Sequence, residues 1–247
     1  IAGRAQCELV IAQIGARRPN PACDTQSLNV TSDIFEVLVN PDIDVVVELI
    51  GGTTVAYDLV MGAIANGKHV VTANKALIAE HGGEIFAAAA KAGVMVGYEA
   101  AVAGGIPIIK ALREGLAGNR VNWIAGIING TTNFILSEMA SKGTPFAKLL
   151  SDAQAKGYAE ADPTFDIEGI DAAHKLVILA SLGFGIPLSI EGLYSEGITK
   201  LEPLDVAYAD ELGYKVKHLG IARQSSEGIE LRVHPTLVPH SSLISDV

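Results

Sequence analysis

Hydrophobic and polar positions change rhythm midway along the chain. In the first half, short β-rich runs alternate with stretches of helical spacing, as in βαβ units. Residues 8–14 read as a strand and residues 32–39 as a short helix capped by Ser32 or Asp33. Residues 45–49 form a nearly unbroken apolar strand, followed by the turn Ile50-Gly51-Gly52-Thr53-Thr54 and a helix over 55–66 that Gly67 closes. Residues 69–72 are a strand, Ala73-Asn74-Lys75 leads a helical region ending at Gly93, and residues 94–98 are a strand with Glu99 at its carboxyl end. Open parallel sheets bind ligands beyond the carboxyl ends of their strands, which is where this order puts Thr53, Lys75 and Glu99.

The second half reads differently. Residues 99–107 form a hinge-like, glycine-containing loop, and a helix opens near Ile108. The boundary is placed there, giving domains of 1–105 and 106–247. Residues 121–128 are a strand running into Asn129-Gly130-Thr131-Thr132-Asn133 and a helix to about Ser141. Pro145 starts another helix that Gly157 stops, and residues 208–233 read as a helix followed by strands. Between them Glu160, Asp162, Asp166, Glu168 and Asp171 precede Lys175, after which residues 176–182 hold only Ser181 as a polar position. A helix starting near Ile167 places Asp171 and Lys175 one turn apart, on a face that continues through Ile178, Leu179 and Leu182. That face points into protein, and a carboxylate and an ammonium there are costly unless paired or used.

Composition narrows the partners. The chain has 247 residues, a net charge of -10 and no run of lysine and arginine, which disfavours nucleic acid and anionic membrane surfaces. Its longest apolar stretch, residues 176–190, is interrupted by glycine and proline and falls short of the about 20 residues a bilayer span needs. Cys7 and Cys23 give neither a disulfide framework nor metal-ligand spacing, so a reducing, cytoplasmic setting is expected. The opening Ile1-Ala2-Gly3-Arg4 has no initiator methionine and no signal-peptide pattern, and is expected to be internal to something longer.

The turn at Gly51-Gly52-Thr53-Thr54 is either a plain tight βα turn or a backbone surface for a phosphate, and its place after an apolar strand favours cofactor contact. Arg17 and Arg18 lie where a dinucleotide fold preferring NAD would offer an acid, and guanidinium groups there suit the 2′-phosphate of NADP. Lys75 sits at a helix start, where a cation wants an anionic partner. Glu99 either caps the next helix or, with carbonyls of the bent loop, forms an oxygen cage for a monovalent cation. His174 reads as a packed helix residue. The acids before Lys175 concentrate negative charge that suits an ammonium-bearing substrate.

Five segments, in this order, resemble homoserine dehydrogenases. They are Val47-Glu48-Leu49-Ile50-Gly51-Gly52-Thr53, Val71-Thr72-Ala73-Asn74-Lys75-Ala76-Leu77, the loop from Glu99 to Pro107, the stretch from Asn129 to Leu136, and the run from Gly157 to Lys175. The resemblance implies an α/β protein: an incomplete Rossmann-type, doubly wound nucleotide-binding domain followed by an α+β substrate and dimerisation domain. It also implies NAD(P)-dependent interconversion of L-homoserine and L-aspartate 4-semialdehyde. Lys175 and Lys75 match catalytic lysines; Glu160, Asp166, Asp171, Gly130 and Thr131 match substrate contacts. Arg17, Gly52, Thr53, Asn74 and Lys75 are the expected dinucleotide contacts, and Glu99, Val102, Gly104 and Ile106 match a sodium loop. A homodimer is implied as well. The family's first strand and its Gly-x-Gly-x-x-Gly loop are expected before residue 1, and its return to the cofactor domain beyond Val247, so a fragment truncated at both ends is expected.

Two other readings stand beside this one: a dehydrogenase or reductase of the same two-domain plan acting on another substrate, such as a cyclic compound or a sugar, and a regulatory or oligomerisation module that has lost catalysis. The acid cluster before Lys175 discriminates, because a neutral substrate has no need of it.

Overall fold

The computed structural model describes residues 2–18, 21–157, 159 and 161–247. The chain divides into two compact units, Ile1–Ala100 and Ala101–Val247. The first contains α1 (Ala2–Ala5), β1 (Ile14–Gly15), β2 (Val30–Thr31), α2 (Glu36–Val39), β3 (Val45–Glu48), α3 (Val55–Ala65), β4 (His69–Thr72), α4 (Lys75–Ala92) and β5 (Val96–Gly97). Strands β3, β4 and β5 form a parallel sheet in that order, while β1 and β2 form a separate parallel pair. Helix α3 packs on β3 and β4. Strand side chains alternate accordingly: Val46, Glu48, Val70 and Thr72 are buried, and Val45, Val47 and Val71 face outward. Because all three strands run the same way, Thr53, Lys75 and Glu99 follow the same edge of the sheet.

Local propensity is overridden in two places. The apolar run 8–14 is strand only at its end, and Leu9, Val10 and Ile11 are exposed; a strand needs a neighbour to satisfy its backbone, and propensity alone does not supply one. The expected helix over 32–39 is shortened to α2 because Asp33 closes a turn instead of capping. Its Oδ1 accepts the Phe35 N–H at 2.9 Å, and its own N–H donates to the Thr31 hydroxyl at 3.1 Å.

The second unit contains α5 (Ile108–Lys110), β6 (Trp123–Gly126), α6 (Gly130–Lys142), α7 (Phe146–Ala155), α8 (Thr164–Ile167), α9 (Ile170–Phe184), β7 (Tyr194–Ser195), α10 (Pro203–Glu211), β8 (Tyr214–Gln224) and β9 (Ile229–Pro239). Its sheet runs β6-β8-β9-β7, antiparallel except for the β7–β9 pair. Ala172, Ala173, Leu176 and Ala180 of α9 pack on Ala222 and Val233 of the sheet, and Ile135, Leu136 and Met139 of α6 form a second core with Leu149, Ile167, Ile198 and Val206. Small residues along α9 bring the helix close to the strands. The opposite sheet face carries the row Ala125, Ile221, Arg232 and Tyr194, and its flank holds the exposed Trp123.

His218 is buried in β8 on the face turned to α9. Its Nε2 lies 2.9 Å from the Glu196 carbonyl, and its Nδ1 finds no hydrogen-bond partner among the described residues. Burial holds its pKa below the usual 6.5. A histidine kept neutral in the fold contributes stability above its unfolded pKa and loses it as pH falls, because the unfolded chain takes up the proton first. The unfolding free energy is therefore expected to fall below about pH 6.5 with a slope of up to about 1.4 kcal/mol per pH unit, and His218→Gln is expected to flatten that slope. Urea denaturation across this range checks it; equal slopes for the two proteins contradict it.

Candidate active site

The second unit builds its site around one amide. Asn129 follows β6 and is the N-cap of α6. Its Oδ1 accepts the Thr132 N–H at 2.9 Å and the Thr132 hydroxyl at 3.0 Å. Its Nδ2 donates to Asp166 Oδ1 at 2.8 Å and to Asp171 Oδ2 at 2.9 Å. An amide carries two N–H donors, so this side chain has no further proton to offer. Asp171 Oδ2 also accepts from Lys175 Nζ at 2.8 Å, and the same ammonium donates to the Ile128 carbonyl at 2.9 Å. The Thr131 hydroxyl donates to Asp166 Oδ2 at 3.2 Å.

Two carboxylates close together repel, and removal from water strengthens the repulsion. The side chains of Asp171 and Lys175 are only 5% and 18% exposed, so this pair is not a solvated helix ion pair. The amide holds the acids together by donating to both, and the ammonium donates to Asp171. Two of the three ammonium protons are engaged, and the third has no partner among the described residues.

The local chain explains the placement of Asp171. The helix expected from Ile167 is instead split: α8 stops at Ile167, and α9 starts at Ile170. Gly169 lies between them at φ 82°, and a β-carbon there would stand 3.0 Å from Ser195 Oγ and 3.1 Å from Val233 Cγ1. Both the backbone conformation and the lack of space require glycine. The break turns Asp166 back toward Asn129 and leaves Asp171 in the first turn of α9, one turn before Lys175.

The other acids part company. Asp162 is exposed, and hydrogen bonds from the Thr164 hydroxyl and N–H hold its carboxyl below the usual carboxylate range. Glu168 accepts the Thr199 hydroxyl at 3.0 Å, away from Asn129. Glu160 lies outside the described residues. Gly130 is the exposed first residue of α6. His174 is buried, with its ring edge-on to Phe165 at 5.4 Å.

Within the first unit, Gly51 and Gly52 turn at φ 81° and 72° between β3 and α3, a conformation open to glycine. Thr53 is half-buried beside them. Asn74 caps α4, accepting the Leu77 N–H at 3.1 Å, and donates to the Gly52 carbonyl at 2.7 Å. Lys75 is the first residue of α4. A glycine turn leading into the N-terminus of an eleven-residue helix fits a phosphate-bearing cofactor. Arg17 is exposed just after β1. Glu99 opens a 3-10 turn, Val102 is buried, Gly104 and Ile106 are exposed, and the Ile106 carbonyl accepts the Ile108 N–H at 2.8 Å.

Sequence reasoning assigned no role to Asn129, the residue that joins the acids. An Asn directly after an apolar strand and three positions before a helical Thr was the available signal. It also overlooked Asn133, whose side chain accepts the His218 N–H at 2.9 Å and donates to the His218 carbonyl at 3.0 Å, tying α6 to β8.

Replacing Asn129 by aspartate keeps the cap acceptor but sets a third carboxylate between Asp166 and Asp171. Asn129→Asp is expected to cost about 2 kcal/mol or more at neutral pH, since a charge-assisted bond becomes a repulsion. Crowded acids titrate above their unfolded values, so the folded variant binds protons first and the cost shrinks as pH falls through the carboxylate range. Urea denaturation of variant and wild type at neutral and mildly acidic pH tests this, and a pH-independent loss contradicts it.

Comparison with known proteins assigns both units. The family model described as "Homoserine dehydrogenase, NAD binding domain" matches residues 1–99, and that described as "Homoserine dehydrogenase" matches residues 107–247. A homoserine dehydrogenase of Pseudomonas aeruginosa is 67% identical over all of this chain, which spans 57% of that protein. The crystal structure of a homoserine dehydrogenase from Thiobacillus denitrificans superposes with a TM-score of 0.94 at 60% identity, covering 99% of this chain and 57% of that one. A hyperthermophilic archaeal homoserine dehydrogenase solved in complex with NADPH aligns at a TM-score of 0.72 and 26% identity, over 87% of this chain and 61% of that one. The chain thus spans a little over half the length of these relatives. With its two units matched in order by the two domains of one enzyme, the chain belongs to the homoserine dehydrogenase family.

Proposed function

We propose that the protein carrying this chain catalyses reversible, NAD(P)-dependent interconversion of L-homoserine and L-aspartate 4-semialdehyde, a step toward threonine, methionine and isoleucine. The observation that carries the reading is the pair of acids bridged by Asn129: among the described residues, Asp166 and Asp171 meet one ammonium, that of Lys175. That imbalance suits a substrate that brings its own ammonium. The N–H groups at the start of α6, at Gly130 and Thr131, suit its carboxylate. Glu160 belongs to the same assignment as a further acid of the stretch that leads to Lys175.

Bound dinucleotide supplies the hydride chemistry. Lys175 handles the proton at the substrate oxygen: as the neutral amine it takes the proton from the alcohol, and as the ammonium so formed it returns the proton to the aldehyde oxygen in the reverse direction. Asp171 and the Ile128 carbonyl accept two N–H groups of Lys175 and so orient its nitrogen in both forms. Lys75 is assigned to substrate and cofactor contact, with Gly52, Thr53 and Asn74 on the dinucleotide and Arg17 favouring the 2′-phosphate of NADP over NAD. Residues 1–105 are the nucleotide-binding domain and 106–247 the catalytic and dimerisation domain.

Three finer assignments go with this reading. Glu99 and the carbonyls of Val102, Gly104 and Ile106 bind sodium, a donor set of hard oxygens suited to a monovalent cation. The sheet face bearing Trp123 and Tyr194 pairs two copies into a homodimer, supported by the exposure of these aromatic residues. The setting is the cytoplasm, in keeping with two exposed free cysteines. No helix of the described residues is long and apolar enough to cross a membrane.

The test follows nicotinamide absorbance with L-homoserine in the complete protein, with and without sodium, its mass being read by light scattering. Lys175→Ala is expected to lower kcat by about a hundredfold or more while KM for L-homoserine changes far less. An unchanged kcat removes Lys175 from the reaction, indifference to sodium removes the cation, and a monomeric mass removes the dimer.

A further inference from the structure

We propose that Glu48 is a positioning residue for the dinucleotide: its buried carboxylate joins the two βα turns bearing Gly52, Thr53, Asn74 and Lys75 into one ring of hydrogen bonds. The proposal rests on the dehydrogenase reading above.

Glu48 ends β3 on the side covered by helix and has no exposed surface. An acid in that place is costly unless every oxygen is satisfied. Its Oε1 accepts two successive backbone donors, Ile50 N–H at 2.7 Å and Gly51 N–H at 3.1 Å. Its Oε2 accepts the Thr72 hydroxyl, at 2.5 Å, from the neighbouring strand β4. The direction of that bond is set by the next one. The Asn74 N–H donates to Thr72 Oγ1 at 2.9 Å, which leaves the hydroxyl proton for Glu48. The ring then closes, since Asn74 Nδ2 donates to the Gly52 carbonyl at 2.7 Å.

Gly52 and Asn74 therefore belong to a ring that closes on one carboxylate. The consecutive left-handed glycines are conformationally loose by nature; the bond to Oε1 restricts Gly51 and the bond from Asn74 restricts Gly52. Lys75 follows Asn74 directly, so the start of α4 is held by the same ring. Glutamine at position 48 cannot accept at both ends of its side chain, so one donor of the ring is left without a partner. Valine at position 72 removes the hydroxyl at nearly constant shape.

The test uses the complete protein. Glu48→Gln and Thr72→Val are expected to weaken NADPH binding about tenfold in a fluorescence titration, with KM for L-homoserine at saturating dinucleotide within about twofold of wild type. Thr72→Ser restores the hydroxyl and is expected to restore the affinity. Without dinucleotide, the Ile50 and Gly51 amides of Glu48→Leu, which has no acceptor at all, are expected to exchange about tenfold faster than in wild type. Unchanged affinity in both variants overturns the proposal, as does unchanged exchange or equal damage to the homoserine KM. A wild-type protein that binds no dinucleotide overturns the dehydrogenase reading and this proposal with it, a result visible without any variant.

Discussion

The second unit depends on an amide placed between two carboxylates. Asp166 and Asp171 come from different helices and would separate if nothing stood between them. The Nδ2 group of Asn129 bonds to both, and the ammonium of Lys175 bonds to one. Each of these donors is itself fixed from behind. Asn129 is held by the first turn of α6 and Lys175 by the Ile128 carbonyl, so the acids are positioned by backbone rather than by other mobile side chains.

The first unit uses the same device. Asn74 and Asn129 each follow a strand and cap the helix that comes next, with Oδ1 accepting the N–H three residues on. In each, the Nδ2 left over reaches sideways to a segment distant in sequence: the Gly52 carbonyl for Asn74, and the two aspartates for Asn129. Asparagine is the residue that can cap with its oxygen and still donate with its nitrogen. Aspartate or serine would satisfy the helix but leave the neighbouring segment unheld.

Much of this was legible in the sequence, and the rest was not for definite physical reasons. The sequence pattern marks His69–Thr72 at its observed limits, and α3, α4 and α6 to within a residue or two, through strong apolar runs and glycine stops. The Asp171–Lys175 pair followed from helical spacing and the apolar stretch after it. Residues 8–14 misled because pairing, not composition, makes a strand. Gly169 reads as part of a helix because a single glycine inside a periodic stretch does not announce a left-handed turn; the crowding by Ser195 and Val233 that requires it is tertiary. Asn129 and Glu48 stood inside recognised segments without a role, since hydrogen bonds across 42 and 24 residues of chain leave no local pattern.

The most direct test of the account is a crystal structure of the complete protein with L-homoserine bound. The amino nitrogen is expected within about 3.2 Å of a carboxylate oxygen of Asp166 or Asp171, and the side-chain hydroxyl at hydrogen-bonding distance from Lys175 Nζ. An amino group turned away from both acids, with Asn129 still bridging them, would contradict the account, since the bridge would then be holding the fold and not the substrate.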